Sequence, residues 1–525
     1  LDVSARRAID DRRWWQIGLV ATVLLGLVLR LKGIHDPLLD HPGWRQGDTA
    51  AIARNFATLD FNPFHPQTDY DGPPPNYVEL ELQIVPFLVA GLYKVFGIHE
   101  IFGRLISIGF SLATIAGIGF FGRWLFGSAL AGLCAALFFA IYPGSTYYGR
   151  TFTPDTAMVF FLTAALFASA RWIFAEGGGR RGFATAALLA AAAILAKPVA
   201  LVALVPVAAM LFERFGLSGT LRRPQSWLFV LVALTPYVAY DAYAARIAEW
   251  HWASGITRLH VLPALRDAFG SFAAFRHKVR LLRDVLAMLG ASMLGWTGLV
   301  TFVAAIFVPL APRSRTLLPA WLGGALAYAF VVVTVERVDY YLYVFVPLAA
   351  LWSGGLAARL LGTLPGRPFA RRTALALGGL FVIAAVFANR AAVSGYYVYD
   401  PSVYRAAKAL NESLAPDSLI VMGHYDPSVL YYINRKGWEE DAALWTPFDE
   451  ESAITKGARY FVAVEKNRLE HNADLYAWLQ RFPVSNPDAK WPVYQTDYAK
   501  QLPGAEGRWR EFRRREKARP ASPNP

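Results

Sequence analysis

The residues of this chain that could do chemistry stand in a few short polar runs between long apolar ones. "HPGWRQGDTAAIARN" (41–55) sets Asp48 among Trp44, Arg45, Gln46 and Thr49, and "TDYDGPPPNYVELELQ" (68–83) carries Asp69, Asp71, Glu79 and Glu81. Asp155 follows Pro154 in "YYGRTFTPDTAM" (147–158), and Lys197 interrupts "ILAKPVALV" (194–202). "RHKVRLLRD" (276–284) and "ERVDYY" (336–341) add cations, three acids and a tyrosine pair. A carboxylate in such company can take a proton from an attacking hydroxyl. Lys, as a point charge, and Arg, as a bidentate fork, suit a phosphate.

Each run also has a plainer reading. Asp155 could be only a helix N-cap after a proline. Lys197 could snorkel to a membrane interface, and the Arg276–Arg280 cluster could touch phospholipid headgroups. Glu336 and Arg337 could form a surface ion pair. Asp69 and Asp71 imitate a D-x-D metal motif, but in "TDYDGPPP" they read as turn formers. Glu79 and Glu81, next to an apolar segment, are costly unless solvated or used. The case for function rests on the set taken together.

The elements that must position these residues are membrane helices. Of 525 residues, 55% are hydrophobic and 17% charged, with a mean hydropathy of +0.32, which is membrane-protein composition. The net charge of +13 comes from Arg clusters lying between apolar runs. That is topology signalling, and no nucleic-acid partner is expected. The single cysteine, Cys134, lies inside an apolar run, so it offers neither an intrachain disulfide nor a thiolate metal cluster.

Spans of about 20 apolar residues are expected near 14–31, 101–121, 128–143, 156–174, 226–243, 285–309, 317–335, 341–361 and 373–392. The first reads as an uncleaved span, since no small-x-small site follows it. The run 183–212 is too long for one helix and is read as a hairpin with Lys197 at its tip, whereas 84–97 is read as an interfacial helix that does not cross. With the N-terminus inside, every Arg cluster between spans then falls on the cytoplasmic side. The fold class expected is an all-α polytopic membrane bundle of about eleven transmembrane helices. Asp48, Asp155, Lys197, the 276–284 run, read as part of a long outer loop, and Asp339 all fall on its outer face. The expected organisation is a membrane part over 1–395, with an outer loop over 32–100. A small α/β extracytoplasmic domain follows over 396–510, and a basic, disordered tail over 511–525. In the tail domain, "MGHYDPSVLYYINRKGW" (422–438) reads as a strand, a turn and a helix capped near Asp426 or Ser428, with an acceptor-binding loop using His424, Tyr425 and Arg435 as the alternative.

At this point the chain resembles the membrane glycosyltransferases of the family 39 type, within the GT-C superfamily that holds protein O-mannosyltransferases and the aminoarabinose transferase of lipid A. The resemblance runs over about 14–392 and is carried by "WRQGDTAAIARNF", "YVELELQIVPFLVAGLYKVFG", "YYGRTFTPDTAMVFF", "ILAKPVALV" and "DYYLYVFVPLAAL". It implies an inverting transfer of a sugar from a polyprenyl phosphate to an acceptor hydroxyl, on the outer face of a bacterial cytoplasmic membrane. By the same resemblance Asp48 is the base, Asp155 serves the acceptor region, and Glu81, with Glu79 as the competing choice, is the acid before the apolar segment. Lys197 is a phosphate ligand, and Asp339, Tyr340 and Tyr341 line the substrate. The family's Lys-Pro-Pro is absent after Glu81, so a second phosphate cation is expected from Arg45, Arg276 or Arg280. The implied partners are the lipid-linked donor, a glycan, lipid or protein acceptor, and membrane lipids. No cofactor is certain; a divalent cation is possible, although the scattered acids lack a diagnostic metal spacing. A lipid-linked sugar flippase is the alternative reading.

Overall fold

The computed structural model describes residues 3–174, 179–363, 368–487 and 489–505, together with 507 and 514. The basic segment 511–525 lies outside the described residues except for Arg514. The chain divides into two compact units: Leu1–Asp36, Phe56–His65 and Val78–Val398 form one, and Pro37–Asn55, Pro66–Tyr77 and Tyr399–Pro525 form the other. The loop expected whole within the membrane part is shared instead, and the helical stretch containing Asp48 goes with the C-terminal residues.

The first unit is helical. Among the described residues, six helices are long and apolar enough to cross a membrane: Arg13–Arg30, Ile101–Phe126, Asp155–Phe174, Pro198–Arg222, Pro224–Ile247 and Asp339–Gly362. Two bent pairs, Phe272–Leu294 with Trp296–Ile306 and Ala376–Ala392 with Ser394–Ser413, raise the number to eight if each is one span. Ala129–Ile141 and Leu317–Val333 are shorter apolar helices. The helix Ile84–Phe96 has 13 residues, which reach about 20 Å against a hydrocarbon thickness of about 30 Å. It buries Val85, Val89, Ala90 and Tyr93, one face at helical spacing.

The long run 183–212 breaks where the proline requires. The helix Arg180–Ala196 ends at Lys197, which is extended at φ −168° and ψ 130° because Pro198 follows it, and the chain resumes through Pro198–Ala203 into the helix Leu204–Arg222. The "RHKVR" run corrects an expectation, since it belongs to the helix Phe272–Met288 and not to a loop. Its period decides which cation turns inward. Lys278 shares a face with Leu282 and Val285 and is buried, with its ammonium 5.5 Å from the Phe330 ring centre, while Arg276 and Arg280 are exposed.

In the second unit, four strands, β1 (Leu419–Met422), β2 (Lys436–Glu439), β3 (Ala458–Val462) and β4 (Val493–Tyr494), form a sheet in the order β2-β1-β3-β4. β1 runs parallel to both neighbours, and β4 is antiparallel to β3. Capping acids start the intervening helices: Asp426 accepts from the Ser428 amide and opens Pro427–Ile433, and Thr446 with Asp449 makes a capping box for Pro447–Thr455. The core beneath holds Val421, Phe461, Leu475, Trp478 and Phe482. Arg435 is pinned by Asn411, Ala415 and Leu414, which is structural work rather than acceptor binding.

Gly437 is the position in β2 where a side chain has no room. Its φ is +151°, and a Cβ there would lie 1.8 Å from the Ile420 carbonyl oxygen. Gly437→Ala is expected to destabilise this unit by at least the 1–3 kcal/mol, roughly, that strained backbone costs. Thermal unfolding of the purified protein, followed by tryptophan fluorescence, checks it.

Candidate active site

The second unit builds the surroundings of Asp48. The helix Gly43–Thr58 carries "GWRQGDTAAIARNFAT". Its Gly47 is required by contact: a Cβ there would meet Ser428 Cα at 2.4 Å, so the turn before Asp48 lies directly on the capped start of Pro427–Ile433. Thr49 takes no part in acid–base work, because its hydroxyl donates back to the Arg45 carbonyl at 2.6 Å.

Asp48 is 4% exposed. Its Oδ1 is buried with no hydrogen-bond partner among the described residues. Burial raises its carboxyl to about 7, against the pull of the Arg45 guanidinium, with Asp426 and Asp69 adding a small upward push. Burial likewise brings Asp71 to about 7, and burial with Asp48, Asp71 and Asp426 around it holds Glu439 well above the ordinary carboxyl range. A buried carboxyl with a bare oxygen, raised toward neutrality by its burial, is suited to act as a general base.

Asp69 behaves differently from its neighbours and from the turn reading. It forms ion pairs with Arg54 and Lys436 and accepts from Asn55 Nδ2 at 3.1 Å, and these partners hold its carboxyl below the usual range despite complete burial. Asp71 does take the turn conformation, at φ 71°. Sequence reading missed Arg54, Lys436 and Glu439. The two acids flanking Tyr70 were the available signal, since both could not be idle in a segment that short.

The first unit builds a separate cluster. Lys197 Nζ donates to Asp155 Oδ1 at 2.6 Å, and both are buried, at 9% and 1% exposed. The ammonium also stands 4.9 Å from the Tyr340 ring centre and 5.1 Å from that of Tyr341. Asp155 Oδ2 is buried with no hydrogen-bond partner among the described residues, so Asp155 does more than cap its helix. The Glu81 segment is tied to the same helix break, because the Leu82 amide donates to the Leu195 carbonyl at 3.0 Å. Glu79 is occupied otherwise: its Oε2 accepts from Ser254 at 2.6 Å and pairs with His251 at 3.1 Å, next to the two-residue strand pairing of Val78–Glu79 with Trp250–His251.

Asp339, expected to line the substrate, serves as a tie. Its Oδ1 accepts from Tyr148 at 2.6 Å and its Oδ2 from Tyr396 at 2.5 Å, so both oxygens are engaged within the bundle. The physical reason is that a carboxylate buried among tyrosines is satisfied by their hydroxyls. Among the described residues, no group of three or more His, Cys, Asp or Glu side chains is placed to hold a metal ion. The acids therefore do not fit the divalent cation that the resemblance allows.

Residues 83–240 match the sequence model of the family "Dolichyl-phosphate-mannose-protein mannosyltransferase". No curated protein sequence matches the chain. Among solved structures, ArnT from Cupriavidus metallidurans, bound to undecaprenyl phosphate, superposes with a TM-score of 0.59 at 16% identity, covering 92% of this chain and 99% of that one. The chain has the GT-C fold of membrane glycosyltransferases. A second GT-C structure, the archaeal oligosaccharyltransferase AglB from Archaeoglobus fulgidus in complex with an inhibitory peptide and a dolichol-phosphate, superposes with a TM-score of 0.57 at 12% identity. It covers 94% of this chain and 75% of its own. The GT-C bundle is thus what carries Asp155, Lys197 and the tyrosine pair.

Proposed function

We propose that this protein is an inverting glycosyltransferase of the family 39 type that moves a sugar from a polyprenyl phosphate to an acceptor hydroxyl. The observation that carries the reading is the buried Lys197 ammonium, seated on Asp155 beneath Tyr340 and Tyr341 in a GT-C bundle. A cation kept out of water in a helix bundle is expensive unless it is used. A sugar phosphate ester supplies the anion that would use it.

In this mechanism the acceptor oxygen bonds to the anomeric carbon as the bond from that carbon to the phosphate oxygen breaks. By the resemblance, Asp48 takes the hydroxyl proton and Lys197 neutralises the phosphate that leaves as an anion. No general acid is needed, because the leaving group is already a stable anion. The unpartnered Asp155 Oδ2 is free to accept a hydrogen bond from a hydroxyl of the acceptor or sugar. Arg45 and Glu81 are assigned supporting roles in binding. The eleven-helix topology, with the reaction on the outer face of a bacterial cytoplasmic membrane, is part of the same proposal, as is an acceptor that is a glycan, lipid or protein.

Purified protein incubated with undecaprenyl-phosphate sugars and an acceptor panel should release free undecaprenyl phosphate, seen by mass spectrometry, together with a glycosylated product of inverted anomeric configuration. Movement of intact lipid across proteoliposomes with no cleavage would instead establish the flippase.

A further inference from the structure

Where the first membrane helix ends, cations collect on one aromatic ring. Lys32 follows the span Arg13–Arg30, and its ammonium stands 3.9 Å from the centre of the Tyr397 ring. The Arg150 guanidinium stands 4.5 Å from the same ring centre. Arg390, in the last turn of the helix Pro368–Ala392, joins Lys32 and Tyr397 in lining a narrow cleft whose wall includes Leu29, Val386 and Val393. Arg30, next to Leu29, is fully buried. It donates to the Ser111 and Ser145 hydroxyls at 2.8 and 2.7 Å and to the Gly26 and Ala140 carbonyls at 2.9 and 3.2 Å.

These partners satisfy N–H groups but leave the charge standing. Rings, hydroxyls and carbonyls are neutral, and neither Lys32 nor Arg390 has a carboxylate within ion-pair distance among the described residues. Asp36, which lies beside Gly33 as Tyr397 does, is the acid whose charge reaches Lys32. Burial, Arg390 and Arg150 outweigh it and hold the Lys32 ammonium below the usual lysine range, so gathering these cations is unfavourable by itself. An anion in the cleft would offset that. The surroundings indicate which kind. The cations sit where apolar helices end, and on those helices Val28 and Phe387 are 65% and 70% exposed, as side chains facing hydrocarbon are. A free ion would leave the apolar wall unused, whereas an amphiphile with an anionic head and acyl chains uses both parts of the cleft.

We propose that this cleft holds an anionic glycerophospholipid of the surrounding bilayer, with Lys32 and Arg390 on its phosphate and its chains along Leu29, Val386 and Val393. The site shares no residue with the Lys197 cluster. Its lipid is a bound companion of the helices Arg13–Arg30 and Pro368–Ala392, separate from the sugar donor.

Native mass spectrometry of the purified protein, titrated in detergent with dioleoylphosphatidylglycerol, tests this, with dioleoylphosphatidylcholine as the chain-matched zwitterion. The native protein should retain phosphatidylglycerol in preference to phosphatidylcholine. Lys32→Gln combined with Arg390→Gln should weaken phosphatidylglycerol binding by about 25-fold, roughly 5-fold per cation. Arg258→Gln combined with Arg266→Gln, which removes the same charge from exposed positions elsewhere, should leave it unchanged. Native binding in the first pair, an equal loss in the second, or no preference over phosphatidylcholine overturns the proposal. If the first pair does not fold, Arg390→Gln at its exposed position decides alone: binding weaker by about 5-fold supports the site, and native binding overturns it. Two further ligands separate the sources of phosphate. Equimolar inorganic phosphate should not displace phosphatidylglycerol, since displacement would make the cleft a free-phosphate site. Undecaprenyl phosphate should bind the Lys32/Arg390 variant as it binds the native protein, since its loss together with phosphatidylglycerol would give the cleft to the sugar donor. Either of those contrary results overturns the proposal.

Discussion

Asp48→Asn should lower turnover by about 100-fold to 10,000-fold, the usual contribution of a placed base, while the protein folds and binds donor as before. The substitution is nearly isosteric, so the packing around this buried position is retained. What is lost is the capacity to carry away a proton. The pH dependence gives an independent check. In the native protein the acid limb should sit near 7, well above a solvent-exposed aspartate, because burial outweighs the help of Arg45. Activity is present above that pH and falls below it. In Asp48→Asn whatever rate remains should no longer show this limb. Native turnover in the variant, measured as release of undecaprenyl phosphate, would exclude Asp48 as base.

Lys197→Met should be nearly as damaging, and for two reasons that can be separated. Loss of a cation aimed at developing phosphate charge costs about 100-fold to 1,000-fold. The same change strips Asp155 of its partner, and breaking one side of a buried ion pair destabilises by about 3–5 kcal/mol. Thermal unfolding of Lys197→Met should therefore shift down along with the activity. The double variant Lys197→Met/Asp155→Asn removes the orphaned charge and should recover most of the stability without recovering turnover. If activity returns together with stability, Lys197 is a structural partner of Asp155 and the phosphate must find its cation elsewhere.

Several of these residues could be named from their local setting. A lysine in the middle of "ILAKPVALV" and an aspartate after a proline at the start of an apolar helix are conspicuous because their neighbours are uniformly apolar. Their pairing could not be named, since it joins positions 42 residues apart. The same limit explains Arg276 and Arg280. The charge density of that run is visible in the sequence, but which of its cations turns inward depends on the helical phase relative to Phe330, and the answer was Lys278. Asp339 was legible as an acid at the opening of an apolar run but not as a tie, because Tyr148 and Tyr396 come from two other parts of the bundle.

By itself the sequence determined the apolar, helical character of the first unit, the break at Lys197-Pro198, and the short list of acids and cations. Those follow from the length of apolar runs, the constraint proline places on its predecessor, and the cost of charge near hydrocarbon, all of which are local. Only the tertiary structure decided which polar atoms are satisfied. It closed both oxygens of Asp339, clamped Asp69 with Arg54 and Lys436, and left Asp48 Oδ1 and Asp155 Oδ2 buried without partners among the described residues. Hydrogen bonding is directional and joins distant segments, so a bare oxygen, which is what a base must present, exists only once the chain is folded.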